Sequence, residues 1–277
     1  MNRMSFLFGG LVALCVALGG ALTGSRIGFC AEQASLAPPK HGKVYVVAHR
    51  GAHVGIPENT LAAYRKAIEL GADFVEIDLR VTKDRQLVSI HDSEIGGYVS
   101  TGRTGKVADL TLAELKQLDI GSRVGGQWKD ERIPTFEEIL QLCKGKIGIY
   151  LHLKDAPVEL AVERVKQSGM AHQILWYADA ARLEQIKSLC PDCIIAPDPG
   201  AEENLPRLLE RFHPPVVAAV WRHFSERFAQ TCHQAGAVVI VDEWGKSVWP
   251  KAVQWGADGI QTDSPAELIE YLEAQHR

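Results

Sequence analysis

The 277-residue chain has no long run of lysine and arginine and no large excess of either charge, its formal net charge being -4. Nothing electrostatic therefore recommends nucleic acid as a partner. Internal repeats are absent and low complexity is confined to residues 32–42, which excludes repeat architectures and leaves no sign of a disordered chain. Long hydrophobic runs are scarce too. The one present, Phe6 to Leu22, follows Asn2, Arg3 and Met4 and is broken by Gly9-Gly10 and Gly19-Gly20. At about 17 residues it sits at the lower limit for a membrane-spanning helix, and small residues up to Ala31 offer a signal-peptidase site. Residues 1–31 therefore read as an export signal and 32–42 as a loose leader, giving a secreted or periplasmic protein with no stable membrane span. A retained anchor is the rival reading. Bulky Leu14 and Phe29 precede Cys15 and Cys30, so neither cysteine has a lipoprotein cleavage context.

Cysteine is sparse beyond that signal: Cys143, Cys190, Cys193 and Cys232. A single CxxC, Cys190-Pro191-Asp192-Cys193, without a second pair is weak evidence for zinc, and it lacks the strand-to-helix opening of a redox motif. In an exported chain it reads as core packing or a tight structural disulfide.

Among what is present, residues 44–92 organise the rest. Three apolar runs end on polar, titratable groups: Tyr45 to Ala48 before His49-Arg50-Gly51, Phe74 to Leu79 carrying Glu76 and Asp78, and Leu87 to Ile90 before His91-Asp92. Parallel strands in a barrel would gather these ends at one rim. From residue 135 onward helices alternate with strands at 147–153, 173–177, 193–196, 216–220, 237–241 and 259–261, the pattern of a parallel α/β fold. This makes nine candidate strands where a closed eight-stranded barrel needs eight. The surplus is placed at 193–196 or 216–220. Only Arg80 to Gln86 separate the second run from the third, too few for a crossover helix, and Gly-rich residues 93–131 read as an insertion over the rim that holds His91.

Two acids two residues apart on a buried strand point their oxygens to one side, as a hard divalent cation requires, and buried carboxylates need such a partner. His49 and His91, each beside a turn, suit a general acid and base flanking a metal-held substrate. Arg50 is a fixed bidentate cation for a phosphate, and Gly51 lets the backbone come close. Tyr150, His152 and Lys154 share one face of the strand over 147–153, so His152 can join the metal and Lys154 the phosphate.

Together, His49-Arg50-Gly51, Pro57-Glu58-Asn59-Thr60, Glu76-Ile77-Asp78, Thr82-Lys83-Asp84, Ile90-His91-Asp92, Thr111 to Leu115, Ile133-Pro134-Thr135 and Asp258 to Asp263 resemble the glycerophosphodiester phosphodiesterase family. The resemblance runs from Val44 to the C-terminus. It implies a (β/α)8 TIM barrel over residues 43–277 with a small insertion after the third strand, and His49 and His91 as the acid/base pair. It also implies Mg²⁺ or Ca²⁺ on Glu76 and Asp78, Arg50 and Lys154 on the phosphate, and a small glycerophosphodiester as substrate. One departure stands out. The family carries Glu or Asp where this chain has His152, and an imidazole there removes a negative charge and favours Mn²⁺ or Zn²⁺. Trp176-Tyr177 replace a frequent Ser-Phe, and no Trp-Thr-Val pattern follows Val241, so the substrate walls are remodelled. Two rivals stay open on the sequence. One is a lysophospholipid or phosphoinositide-type phosphodiesterase on the same barrel, set back because residues 93–131 hold no clear apolar loop for lipid insertion. The other is a phosphodiester-binding protein whose catalysis is weakened by His152. Oligomeric state is not legible.

Overall fold

The computed structural model describes residues 36–275. The expected export signal, Cys15, Cys30 and the first leader residues lie outside the described residues. Nine strands follow in order: β1 (Tyr45–Ala48), β2 (Phe74–Val81), β3 (Leu87–Ser89), β4 (Gly148–Leu153), β5 (Ile174–Tyr177), β6 (Ile194–Ile195), β7 (Val216–Val220), β8 (Val238–Asp242) and β9 (Gly259–Thr262). Eight of them run parallel in the order β6-β5-β4-β2-β1-β9-β8-β7. The ring closes where Ala218 donates its backbone N–H to the carbonyl of Pro197, just past β6, at 3.0 Å. The helices α1 (Leu61–Leu70), α2 (Leu112–Lys116), α3 (Phe136–Cys143), α4 (Val158–Ser168), α5 (Ala180–Leu189), α6 (Leu205–Phe212), α7 (Glu226–Gln234), α8 (Trp249–Gln254) and α9 (Pro265–Ala274) fill the connections. No helix among the described residues is long and apolar enough to cross a membrane.

The surplus strand is not where the sequence pattern placed it. Residues 194–195 and 216–220 are both barrel strands, and the outsider is β3, which pairs antiparallel with β2 through Leu79 to Ser89 and Val81 to Leu87. A connection of five residues permits a hairpin and forbids a parallel crossover. The hairpin rises above the rim and folds back, so that Ile90 donates its N–H to Asp78 O at 3.0 Å. His91 thus reaches the rim from above, at the level of Asp78, rather than from the end of a barrel strand.

Strand parity sorts the core. Tyr45, Val47, Phe74, Tyr150, Leu175, Ile194, Val216, Ala218 and Ile240 fill the barrel interior, while Val46, Val75, Ile77, Leu151, Trp176 and Val239 face the helices. On β2 the inward parity continues as Glu76 and Asp78, so the filling changes from apolar to ionic towards the mouth. Residues 93–131 form a separate apolar cluster in which Ile95, Tyr98, Val107 and Leu115 pack on Val88 and Ile90 of the hairpin. Capping boxes at Thr111/Glu114 and Thr135/Glu138 open α2 and α3. α1 starts at Leu61, with Thr60 as its N-cap and Gly71, at φ +79°, as its C-cap.

The described part of the leader is tied down rather than loose. Tyr45 donates its hydroxyl to Ala37 O at 2.8 Å, Lys40 donates its backbone N–H to Asp73 at 2.9 Å, and His41 bridges Gly71 O and Glu273. Cys190 and Cys193 form a disulfide, their Cα atoms 5.3 Å apart, across the turn between α5 and β6. Cys143 and Cys232 are buried free thiols, and burial pushes both up to about 12, as suits packing rather than chemistry. Replacing Cys190 and Cys193 by Ser is expected to cost about 2 kcal/mol for so short a loop. In a domain of this size that lowers Tm by roughly 4–8 °C, read by thermal unfolding, and a reducing agent should do the same to the native chain.

Candidate active site

At the C-terminal mouth of the barrel lies an open cavity of about 200 Å³ lined by all seven residues singled out from the sequence: His49, Arg50, Glu76, Asp78, His91, His152 and Lys154. Tyr150, Tyr177, Asp198, Asp242 and Gln261, with the aliphatic Ala218, Ala219, Val220 and Ile240, complete its wall.

The turn after β1 sets one side. Arg50 has φ +52° and Gly51 φ +85°; a Cβ on Gly51 would lie 2.7 Å from Ala63 Cβ and 2.9 Å from its carbonyl carbon. Only glycine fits there, so the tight turn aims the Arg50 N–H at Glu76 Oε2, 2.9 Å away. The Arg50 guanidinium meets Glu58 at 3.1 Å, while its Nε is buried 3.8 Å from Asp78 with no hydrogen bond.

Glu76 and Asp78 are almost fully buried. Burial and the neighbouring Asp78 charge hold Glu76 well above the usual carboxylate range. For Asp78 burial acts the same way, but Lys154 and the amide of Asn59 outweigh it and hold the carboxyl low. Asn59 Nδ2 donates to Asp78 Oδ2 at 2.9 Å, and its own oxygen accepts from Tyr64 and Ser89. Asp78 Oδ1 is different: Lys154 Nζ is 3.1 Å away, yet no directed hydrogen bond is made. His152 Nδ1 stands 3.5 Å from that oxygen and 3.9 Å from Glu76 Oε1. These spacings are too long for hydrogen bonds and suit donors that share one cation, whose bonds of about 2.0–2.4 Å place ligand atoms about 3–4 Å apart. Burial and the adjacent Lys154 push His152 down to about 3, so its ring is neutral and keeps a lone pair to give. Its edge rests on Tyr177, ring centroids 4.6 Å apart. The three side chains thus fit a divalent cation.

Each rim histidine has its own carboxylate. His49 Nδ1 lies 2.7 Å from Asp263 Oδ1, and His53 Nε2 lies 3.0 Å from the same oxygen. Burial alone would lower His49, but the Asp263 bond and the Glu76 charge outweigh it and push the ring up to about 9. A cation on Glu76 would cancel part of this, and the Asp263 contribution would remain. Asp263 is held far below the carboxylate range by its two histidines. His91 Nδ1 lies 2.7 Å from Asp92 Oδ1, and Arg80 anchors its backbone carbonyl with Nε at 3.0 Å.

A family model described as the glycerophosphoryl diester phosphodiesterase family matches residues 49–196. The chain is 31% identical over 240 residues to a glycerophosphodiester phosphodiesterase of Caldanaerobacter subterraneus, across 82% of this chain and 97% of that protein. It belongs to this family. A phosphodiesterase of Oleispira antarctica, solved in complex with the product sn-glycerol-3-phosphate, superposes with a TM-score of 0.75 at 27% identity, over 82% of this chain and 96% of that one. A glycerophosphodiester phosphodiesterase from Agrobacterium tumefaciens, at 24% identity and TM-score 0.72, shares the fold. With two Bacillus subtilis relatives the alignments span about half of each relative, 49% and 48%.

Membership accounts for the motifs, and the geometry adds members that the sequence reading left without a role. Asn59 and Glu58 sit in a motif quoted for its likeness alone; their signal was polar side chains just before a helix that starts only at Leu61. Asp263 likewise ends a motif quoted for its likeness alone, and 214 residues separate it from His49. Pairing of Ala48 with Thr262 across the β1–β9 seam brings the two together. Asp263→Asn is expected to lower kcat about 10- to 100-fold. It should also move the alkaline limb of the kcat profile to lower pH, because His49 loses its main support for the charged form; a pH–rate profile checks both.

Proposed function

We propose that this protein hydrolyses glycerophosphodiesters to glycerol 3-phosphate and an alcohol, with a divalent cation on Glu76, Asp78 and His152. The observation that carries the reading is a buried acceptor and a buried donor, Asp78 Oδ1 and Arg50 Nε, both without hydrogen bonds in one cavity. Such groups are costly unless a ligand pairs with them. One asks for a cation and the other for an anion, which a metal ion and a phosphodiester supply together.

When bound, the cation offers Lewis-acid neutralisation of phosphoryl charge. Arg50 and Lys154 hold the phosphate from the side of β1 and β4 and stabilise the charge that grows on its oxygens. His91, with Nδ1–H directed at Asp92, presents its other nitrogen as the base that takes the proton of the attacking oxygen. His49, kept protonated by Asp263, delivers a proton to the departing alkoxide, so a new P–O bond replaces the one to the alcohol. The imidazole at residue 152 favours Mn²⁺ or Zn²⁺ over Mg²⁺ or Ca²⁺.

We also infer export, supported by the apolar N-terminal run and by a Cys190–Cys193 disulfide of the kind that persists in oxidising compartments. A mature N-terminus near residue 31 or 32 by mass spectrometry is the expected result. The hydrolysis is tested by incubating the purified protein with glycerophosphoethanolamine and Mn²⁺ and assaying glycerol 3-phosphate. Tight binding without release would instead favour a phosphodiester-binding protein.

A further inference from the structure

The cavity has a second side that the hydrolytic scheme does not use. Opposite Arg50 and Lys154, β7 contributes only the aliphatic side chains of Ala218, Ala219 and Val220 to the wall, and the strands on either side bring carboxylates: Asp198 just beyond β6 and Asp242 at the end of β8. Neither carboxylate has a lysine, arginine or histidine within ion-pairing distance among the described residues. Asp198 accepts from Tyr177 Oη at 3.3 Å and from the Gly200 N–H at 2.7 Å. Burial raises Asp242 above the ordinary carboxylate range, and the more distant His49 charge, the Gln261 amide and Arg50 offset this only in part.

Tyr150 supplies an independent sign of a ligand. It is 4% exposed, lines the same cavity and has no hydrogen bond from its hydroxyl among the described residues; burial first, then the nearby Tyr177, Asp198 and Asp242, disfavour its ionisation. Its ring and that of Tyr177 are 5.9 Å apart and tilted by 31°. The niche therefore combines two carboxylates and a free phenolic oxygen with two aromatic rings, beside an aliphatic wall of Ala218, Ala219, Val220 and Ile240. Acceptors predominate. A hydroxyl group both donates and accepts, whereas a primary ammonium only donates and also favours aromatic faces.

We propose that this niche receives the ammonium group of the substrate's alcohol, making the enzyme selective for glycerol phosphodiesters of amino alcohols such as ethanolamine. The inference rests on the phosphodiesterase reading above and adds its headgroup class. With phosphate at Arg50 and Lys154 and ammonium at Asp198 and Asp242, a zwitterionic diester would span the cavity from its basic to its acidic side.

The test compares kcat/KM of the Mn²⁺-loaded full chain for glycerophosphoethanolamine and for the uncharged-headgroup diester glycerophosphoglycerol. The native protein is expected to favour the cationic diester about tenfold or more, as one charge-assisted hydrogen bond supplies. Asp242→Asn and Asp198→Asn, which keep side-chain shape, should each lower that ratio by about tenfold. Equal kcat/KM for the two diesters in the native protein, or equal losses on both in the variants, would leave phosphodiester hydrolysis standing and overturn the headgroup assignment. Failure to hydrolyse either diester would overturn the phosphodiesterase reading and this inference with it. The native ratio needs no variant, so a misfolded substitution does not protect the proposal.

Discussion

His91→Ala is expected to lower kcat for glycerophosphoethanolamine by about 10³, within the span of 10²–10⁴ that a positioned acid or base contributes. The ring is partly exposed at the rim, and its carbonyl, not its imidazole, is what Arg80 anchors, so folding should survive its removal. His49→Ala is expected to lose a similar factor while Asp263 keeps its bond to His53. Because the two imidazoles serve one displacement, the double variant should lose less than the product of the single losses. Unchanged binding of Mn²⁺ by both variants, measured by calorimetry, would separate lost proton transfer from a damaged metal site. A single variant that kept more than a tenth of the native kcat would remove that histidine from the proposed scheme.

Stripping the protein of divalent cations is expected to reduce turnover at least 10³-fold, since several kcal/mol of charge stabilisation would go with the metal. It should also lower thermal stability, a readout independent of catalysis. Binding to the folded state alone contributes about 2.7 kcal/mol at a hundred times Kd, or roughly 5–11 °C in Tm for a domain of this size. The gain is expected because the metal pairs Asp78 Oδ1, which the protein leaves without a hydrogen bond, and separates two buried carboxylates that repel each other. Among ions, Mn²⁺ and Zn²⁺ should shift Tm more than Mg²⁺ and Ca²⁺ at equal concentration. His152→Glu should reverse part of that order, because a third carboxylate oxygen restores the harder, more negative donor set. Metal-free protein as active as the loaded form would contradict the assignment.

The donor set was legible because its signal is local. Glu76 and Asp78 are two apart on a strand whose neighbours Val75, Ile77 and Leu79 are apolar, and His152 and Lys154 repeat that spacing two strand positions later in the register, Asp78 lying opposite His152. The same period-two pattern hid the direction of β3. Parity is identical in parallel and antiparallel strands, so Leu87 to Ile90 looked like a barrel strand; the decisive clue was the five-residue connection, which only a hairpin can use. The pairing of Asp263 with His49 was hidden for another reason, although the residue ends a quoted motif. Nothing near it marks a partner for His49, and only closure of β1 against β9 supplies one. Asp198 and Asp242 were missed likewise, because their common wall exists only once β6, β7 and β8 stand side by side.

One measurement bears on the whole account: anomalous diffraction from crystals of the full chain grown with Mn²⁺. The expected result is a single strong peak within about 2.0–2.4 Å of oxygens from Glu76 and Asp78 and of the His152 ring nitrogen, beside the imidazoles of His49 and His91. No peak among these side chains at saturating Mn²⁺, with the His152 ring turned from the two acids, would contradict it.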